Sequence, residues 1–229
     1  MDTQPKTLKS MASKMDSVTG QFVFVRKSIL RPERDDAEKM VAALEKFVDG
    51  TMTDPSGFSS ALIYRNLDNP KEFAIYETRT GRGDDVKAYR NSVEKIDEST
   101  TTVWYTPLAR WQNRPGDPAV LAPNRVAFMR TFRVKPGWAE KEALLNKLSK
   151  LIEVVLEEVP DLRTAVIHEN MDRPEELMLY EEWDRTKESF IKDEVPKTYR
   201  KVYREETDSF IEERKDLEWF KPIRNYKQK

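Results

Sequence analysis

The feature that most constrains this chain is that it aligns with itself. A shift of 104 residues lays Phe22–Glu77 over Val126–Glu181 without a gap, and 14 of the 56 paired positions are identical. Random pairing at ordinary composition would give about three. The matches include Phe24/Phe128, Arg26/Arg130, Pro32/Pro136 and Leu44/Leu148, then a dense group from Ala61/Ala165 through Asn66/Asn170, Asp68/Asp172 and Pro70/Pro174 to Glu77/Glu181. The register is lost after Glu77 and returns at a shift of 115, where Trp104 and Pro107 meet Trp219 and Pro222. The second copy therefore carries about eleven more residues in its last helical region.

Both copies show the same order of patterns. Phe22–Leu30 and Val126–Val134 read as strands from their β-branched and aromatic content. Helices are expected to begin at Pro32 and Pro136, where a missing N–H costs nothing. Their apolar stripes (Met40, Val41, Leu44, Phe47, Val48 and Leu144, Leu145, Leu148, Leu151, Ile152) have matching spacing and belong to a core. Two strands follow in each copy, Phe58–Arg65 with Phe73–Thr78 and Leu162–Glu169 with Leu177–Trp183, each pair joined by an Asn-x-Asp-x-Pro turn. A second helix is expected over Asp84–Ile96, and over a longer stretch through Lys197–Arg214 in copy two. Closing strands are expected near Thr100–Leu108 and Leu217–Ile223. The fold class is α+β: two ferredoxin-like β-α-β-β-α-β repeats. The expected layout is a disordered tail (1–20), repeat 1 (21–111), a Pro/Gly-marked linker (112–124), repeat 2 (125–223) and a short tail (224–229).

Composition narrows the chemistry. The net charge is −1 with acids and bases interleaved, which lacks the basic stripe of a nucleic-acid binder. There is no cysteine, so disulfides, thiolate nucleophiles and Cys-based metal sites are excluded. His168 is the single histidine, which excludes a multi-His metal site within one chain. No run approaches the roughly 18 apolar residues of a membrane span, and Met1–Gly20 lacks the apolar core of a secretory signal. The expectation is a cytoplasmic protein with no membrane and no nucleic-acid partner.

Copy two carries a family resemblance. The segment Phe128 to Gly137, the long helix ending at Glu157-Glu-Val-Pro160, Asn170-x-Asp172-x-Pro174, Leu179-Tyr-Glu-Glu-Trp183, and Ser189-Phe190 with Pro196 and Tyr199 follow one another as in antibiotic-biosynthesis-monooxygenase (ABM) type domains. Copy one resembles them less, with Arg79 where copy two has Trp183. The resemblance implies a dimeric α/β barrel, made here inside one chain by the two repeats, with room for a further homodimer. It also implies a cofactor-independent monooxygenase with molecular oxygen as co-substrate, acting on a small aromatic, phenolic or quinol molecule. Haem-degrading relatives place a His on the helix after the Tyr-Glu-x-Trp strand. Ile191, Lys192 and Asp193 stand there in this chain, which disfavours haem degradation through that ligand.

Oxygenation without a cofactor needs an apolar pocket and preorganised donors that favour a substrate anion. Copy two offers His168 and Asn170 as catalytic candidates on one strand face by the period-two rule. Tyr180, Trp183, Tyr199, Tyr203 and Arg130 are candidates for substrate binding. Each also has a plain structural reading: Asn170 and its twin Asn66 as turn formers, Trp183 as core, Tyr199 and Tyr203 as a helix i, i+4 pair, and Arg26 and Arg130 as partners of Glu77 and Glu181. The enzyme reading expects one cavity lined by His168, Asn170 and Trp183. The alternatives are a non-catalytic barrel binding a hydrophobic ligand or partner, and lyase or isomerase chemistry on the same fold.

Overall fold

The computed structural model describes residues 20–29, 37–53, 57–81, 87, 101–112 and 124–227. In the first half, β1 (Gln21–Ile29), α1 (Ala37–Met52), β2 (Phe58–Asn66), β3 (Glu72–Thr80) and β4 (Thr101–Gln112) follow in order. In the second half come β5 (Val126–Val134), α2 (Trp138–Glu158), β6 (Leu162–Asn170), β7 (Glu176–Trp183), α3 (Lys187–Asp193), α4 (Thr198–Thr207), β8 (Ile211–Arg214) and β9 (Glu218–Lys227). The fold is α+β and ferredoxin-like, with four helices among the described residues. None of these helices is long and apolar enough to cross a membrane.

All strand pairings are antiparallel, in the order β7-β6-β4-β1-β3-β2-β9-β5-β8, and a further β7–β5 pairing closes the sheet on itself. The closing strand of each half is shared. β4 pairs with β1 of its own half and β6 of the other, and β9 pairs with β5 and with β2. Alternation along the strands then sorts side chains to two faces. Val23, Val25, Tyr64, Tyr76, Tyr105, Met129, Met178, Tyr180 and Phe220 form one apolar cluster drawn from both halves. The opposite parity packs under the helices: Phe22, Phe24, Phe73 and Ile75 with Leu44 and Val48 of α1, and Phe128, Phe132 and Leu179 with Leu144, Leu148 and Ile152 of α2.

Several sequence expectations shift. The helix start expected at Pro32 and the helix expected over Asp84–Ile96 lie outside the described residues, apart from Lys87. In the second half Pro136 belongs to the turn before α2, with Gly137 at φ 139°, a backbone conformation that favours glycine. The helix expected through Arg214 ends at Thr207 and is followed by a strand. β9 reaches only Ala127–Met129 of β5, so the rest of that edge would leave backbone groups unpaired, and β8 covers Phe132–Val134. The tail expected from residue 224 continues β9 as far as Lys227, because Arg224 to Lys227 pair with Ile63 to Ser60 of β2.

Candidate functional site

The two central hairpins are held by the same bonds. Asn170 Oδ1 accepts the N–H groups of Asp172 (2.9 Å) and Arg173 (3.2 Å), while its Nδ2 donates to Glu176 Oε1 (2.9 Å). Asn66 Oδ1 accepts those of Asp68 (2.8 Å) and Asn69 (3.0 Å), and its Nδ2 donates to Glu72 Oε2 (3.2 Å). An Asx side chain that satisfies two loop N–H groups defines the turn. Asn170→Ala is expected to lower stability by about 1–3 kcal/mol, since it strips partners from buried polar groups. Asn66→Ala should do the same, and equal shifts of the urea midpoint are the check.

His168 shares its strand face with Asn170 and is fully buried. Its Nε2 lies 2.8 Å from the Tyr76 hydroxyl and its Nδ1 3.3 Å from the Met178 carbonyl oxygen. The carbonyl can only accept, which assigns the proton to Nδ1 and leaves Nε2 to accept from Tyr76. Burial, with a smaller contribution from the charge of Arg110, pushes the His168 pKa down to about 3. Around it Tyr76 stacks on Tyr180 (4.4 Å), Tyr105 meets the imidazole edge-on (5.8 Å), and the Tyr180 and Tyr64 hydroxyls lie 2.5 Å apart beside Glu182.

Trp183 lies on the other face of β7, under the helices. It is fully buried, packs edge-on against Phe190 (5.0 Å) and donates from Nε1 to Glu181 Oε2 (2.9 Å). Among the described residues the expected single cavity lined by His168, Asn170 and Trp183 is therefore not formed: the turn occupies Asn170, and His168 and Trp183 lie on opposite faces of the sheet. At the matching position of the first half, Arg79 Nε donates to Glu77 Oε1 (2.5 Å). The carboxylate is kept and its donor has changed from indole to guanidinium.

On the helix side of the second half a cavity of about 40 Å³ opens between the sheet and α4, with Arg130, Tyr203, Arg200 and Arg204 as its polar wall and Phe128, Phe132, Leu179 and Phe190 among its apolar wall. Four donor atoms here are buried with no hydrogen-bond partner among the described residues: Arg130 Nε, Arg200 Nε and Nη2, and the Tyr203 hydroxyl. Arg200 lies over Phe190 (4.9 Å), Trp183 (5.6 Å) and Tyr199 (5.9 Å), with Nε 3.6 Å from Glu194. The Tyr199 hydroxyl donates to Glu194 Oε2 (2.5 Å). Burial and the neighbouring Arg214 and Arg204 push the Arg130 pKa down to about 10. Burial also raises the pKa of Glu181, against the opposing charges of Arg200 and Arg130. Leu151 and Tyr203 also line an outer groove of about 570 Å³ between α2 and α4, together with Val154, Tyr199 and Val202. A further recess of about 610 Å³, beside Arg185 and Lys192–Thr198, is open and has charged and polar walls.

The structure thus gathers Arg130, Trp183, Tyr199 and Tyr203, and leaves His168, Tyr180 and Asn170 elsewhere. Arg200, Arg204 and Glu194 join the site without having been singled out in the sequence. Arg200 and Arg204 lie in a charged helical stretch where nothing distinguishes a buried arginine from a solvated one. Among the described residues no group of three or more His, Asp or Glu side chains is placed to hold a metal ion.

One face of the closed antiparallel sheet is covered by helices from both halves and the other packs on itself. Solved structures share this architecture. An anthrone oxidase-like protein is 15% identical, with 93% of this chain and 96% of that chain covered and a TM-score of 0.68. A candidate monooxygenase from Fusobacterium nucleatum is 14% identical, with 91% and 94% covered and a TM-score of 0.66. Another from Lactobacillus acidophilus is 17% identical, with 91% and 97% covered and a TM-score of 0.64. At such identities the likeness shows a common fold. Residues 125–191 match the family Antibiotic biosynthesis monooxygenase, so the second half, from β5 into α3, carries one ABM domain. No curated protein sequence matches the chain.

Proposed function

We propose that this chain is a cofactor-independent ABM-type monooxygenase, and that its substrate is a small phenolic or quinol-like aromatic bound at the Arg130–Tyr203 cavity. The observation that carries the reading is that three residues lining one cavity, Arg130, Arg200 and Tyr203, carry four buried donor atoms with no hydrogen bond among the described residues. The polar substituent of the ring occupies the cavity, and the ring lies at its mouth against Tyr203 and Leu151. Arg130, Arg200 and Tyr203 line the cavity and hold the anionic form of the bound aromatic. The electron-rich ring then reduces molecular oxygen. One oxygen atom enters the ring as a carbonyl and the other leaves as water with two hydrogens of the substrate, so that a phenol becomes a quinone.

The same reading takes the chain as two repeats folded as an intramolecular counterpart of a dimeric α/β barrel. The matching Asn66 and Asn170 hairpins and the exchange of β4 and β9 support it. His168 and Asn170 act in the framework, and Trp183 and Tyr199 hold Arg200 in place.

Oxygen uptake with a panel of hydroquinones and naphthols tests the function. Arg130→Gln is expected to lower turnover about 100-fold or more, the usual effect of deleting one preorganised donor. The proposal fails if no panel member is oxidised above its rate without protein. A second reading, ligand binding without turnover, draws on the small cavity volume of about 40 Å³. Thermal stabilisation by panel members with no oxygen consumed would establish it instead.

A further inference from the structure

The polar wall of the cavity is one-sided in charge. Arg130, Arg200 and Arg204 line it, and among the described residues no carboxylate does. Nearby acids offset this in part. Glu194 lies between Arg185 (3.5 Å) and Arg200 (3.6 Å), and Arg214 meets the exposed Asp208 (3.0 Å). Asp216 is near enough to Arg130 to act on its charge, and Glu181 bonds to Trp183. Among the described residues none of them hydrogen-bonds Arg130 Nε or Arg200 Nη2, and Glu194 meets Arg200 Nε only as an ion pair at 3.6 Å. Guanidinium nitrogens buried without acceptors are costly, and a bidentate anion is their natural complement. Size points the same way. A cavity of about 40 Å³ has room for a small polar group such as a carboxylate and not for an aromatic ring. The remainder of the ligand must pass Tyr203 and Leu151, which line both the cavity and the outer groove, where Val154, Tyr199 and Val202 offer apolar and aromatic surface.

We propose that this site recognises an aromatic carboxylate, its carboxylate in the cavity against Arg130, Arg200 and Tyr203 and its ring in the groove between α2 and α4. This rests on the site assignment made above and names the class of substrate it takes. On the oxidation reading, the substrate is then a hydroxylated aromatic acid whose reacting carbon lies outside the cavity, at Tyr203.

Anaerobic titration calorimetry on the full chain separates binding from turnover. The probes are 2-naphthoate, its neutral amide and inorganic phosphate. The naphthoate is expected to bind at least tenfold more tightly than the amide. Arg130→Gln should bring the naphthoate down to the affinity of the amide while leaving the amide unchanged, which a merely unfolded variant could not do. Arg204→Gln should weaken the naphthoate in the same direction. Equal affinity for naphthoate and amide, or no binding of either, overturns the proposal. So does displacement of naphthoate by an equal concentration of phosphate, which would mark an unselective anion site. Selective naphthoate binding without oxygen uptake by any hydroxylated naphthoate leaves this inference standing and removes the oxidation reading. Oxidation of neutral phenols with no preference for the acid does the reverse.

Discussion

Replacing Trp183 with alanine is expected to destabilise the fold by about 3–5 kcal/mol, the range for removing a large aromatic from a packed core. Trp183 is fully buried, packs on Phe190 at 5.0 Å and lies beneath the guanidinium groups of Arg185 (5.4 Å) and Arg200 (5.6 Å). Its indole N–H is also the hydrogen-bond donor to the buried Glu181. Alanine would leave a void and an unpaired carboxyl together. Phenylalanine separates the two effects, because it keeps most of the packing and loses the N–H, at a cost of about 1–3 kcal/mol. Urea unfolding of both variants measures this. A Trp183→Ala midpoint close to that of the wild type would show that the α3–α4 layer does not depend on this ring.

The second large effect is expected in the pH dependence of stability. The His168 pKa falls from its ordinary 6.5 to about 3 in the folded chain, chiefly by burial. Below pH 6.5 the unfolded chain therefore binds a proton that the folded chain refuses until about pH 3. The contribution of His168 is complete above pH 6.5 and is lost on acidification by about 1.4 kcal/mol per pH unit. Glu181 acts in the opposite sense. Its raised pKa lets the folded chain take up a proton first, which adds stability as the pH falls through that value. His168→Gln isolates the first effect, since the amide oxygen can still accept from Tyr76 but does not titrate. The stability gap between wild type and variant should narrow by roughly 1 kcal/mol between pH 7 and pH 5.5. A gap that stays constant would mean His168 charges in the folded state as readily as in water.

Most strands and the long helices were legible because each carries its own period and the repeat reads several of them twice, whereas β8 lay in a stretch read as helix. The Asn66 and Asn170 turns were equally legible, since the chemistry of an Asx turn lies within a few residues. Strand neighbours were not. Alternation in β4 says which residues share a face, but it does not say that one edge pairs with β1 and the other with β6. The candidate site was divided for a related reason. Every residue of β7 is buried, so hydrophobicity does not distinguish the face beneath the helices from the face shared with His168. The period-two rule alone would have separated Tyr180 from Trp183, which stand three residues apart. Arg200 was hidden because a buried cation and a solvated one look alike in a charged helix. Only packing against Phe190 and Trp183 distinguishes it.

The exchange of closing strands also bears on how the chain is made. During synthesis β1, β2 and β3 emerge first, yet the outer edge of β2 finds its partner only in β9, the last strand of the fold. Until then that edge stands open, a template for mispairing with other chains. A pairing so distant along the sequence must close a long loop, which slows folding. Ribosomes stalled before residue 218 should therefore hold a protease-sensitive first half, which becomes resistant only once β9 has cleared the exit tunnel.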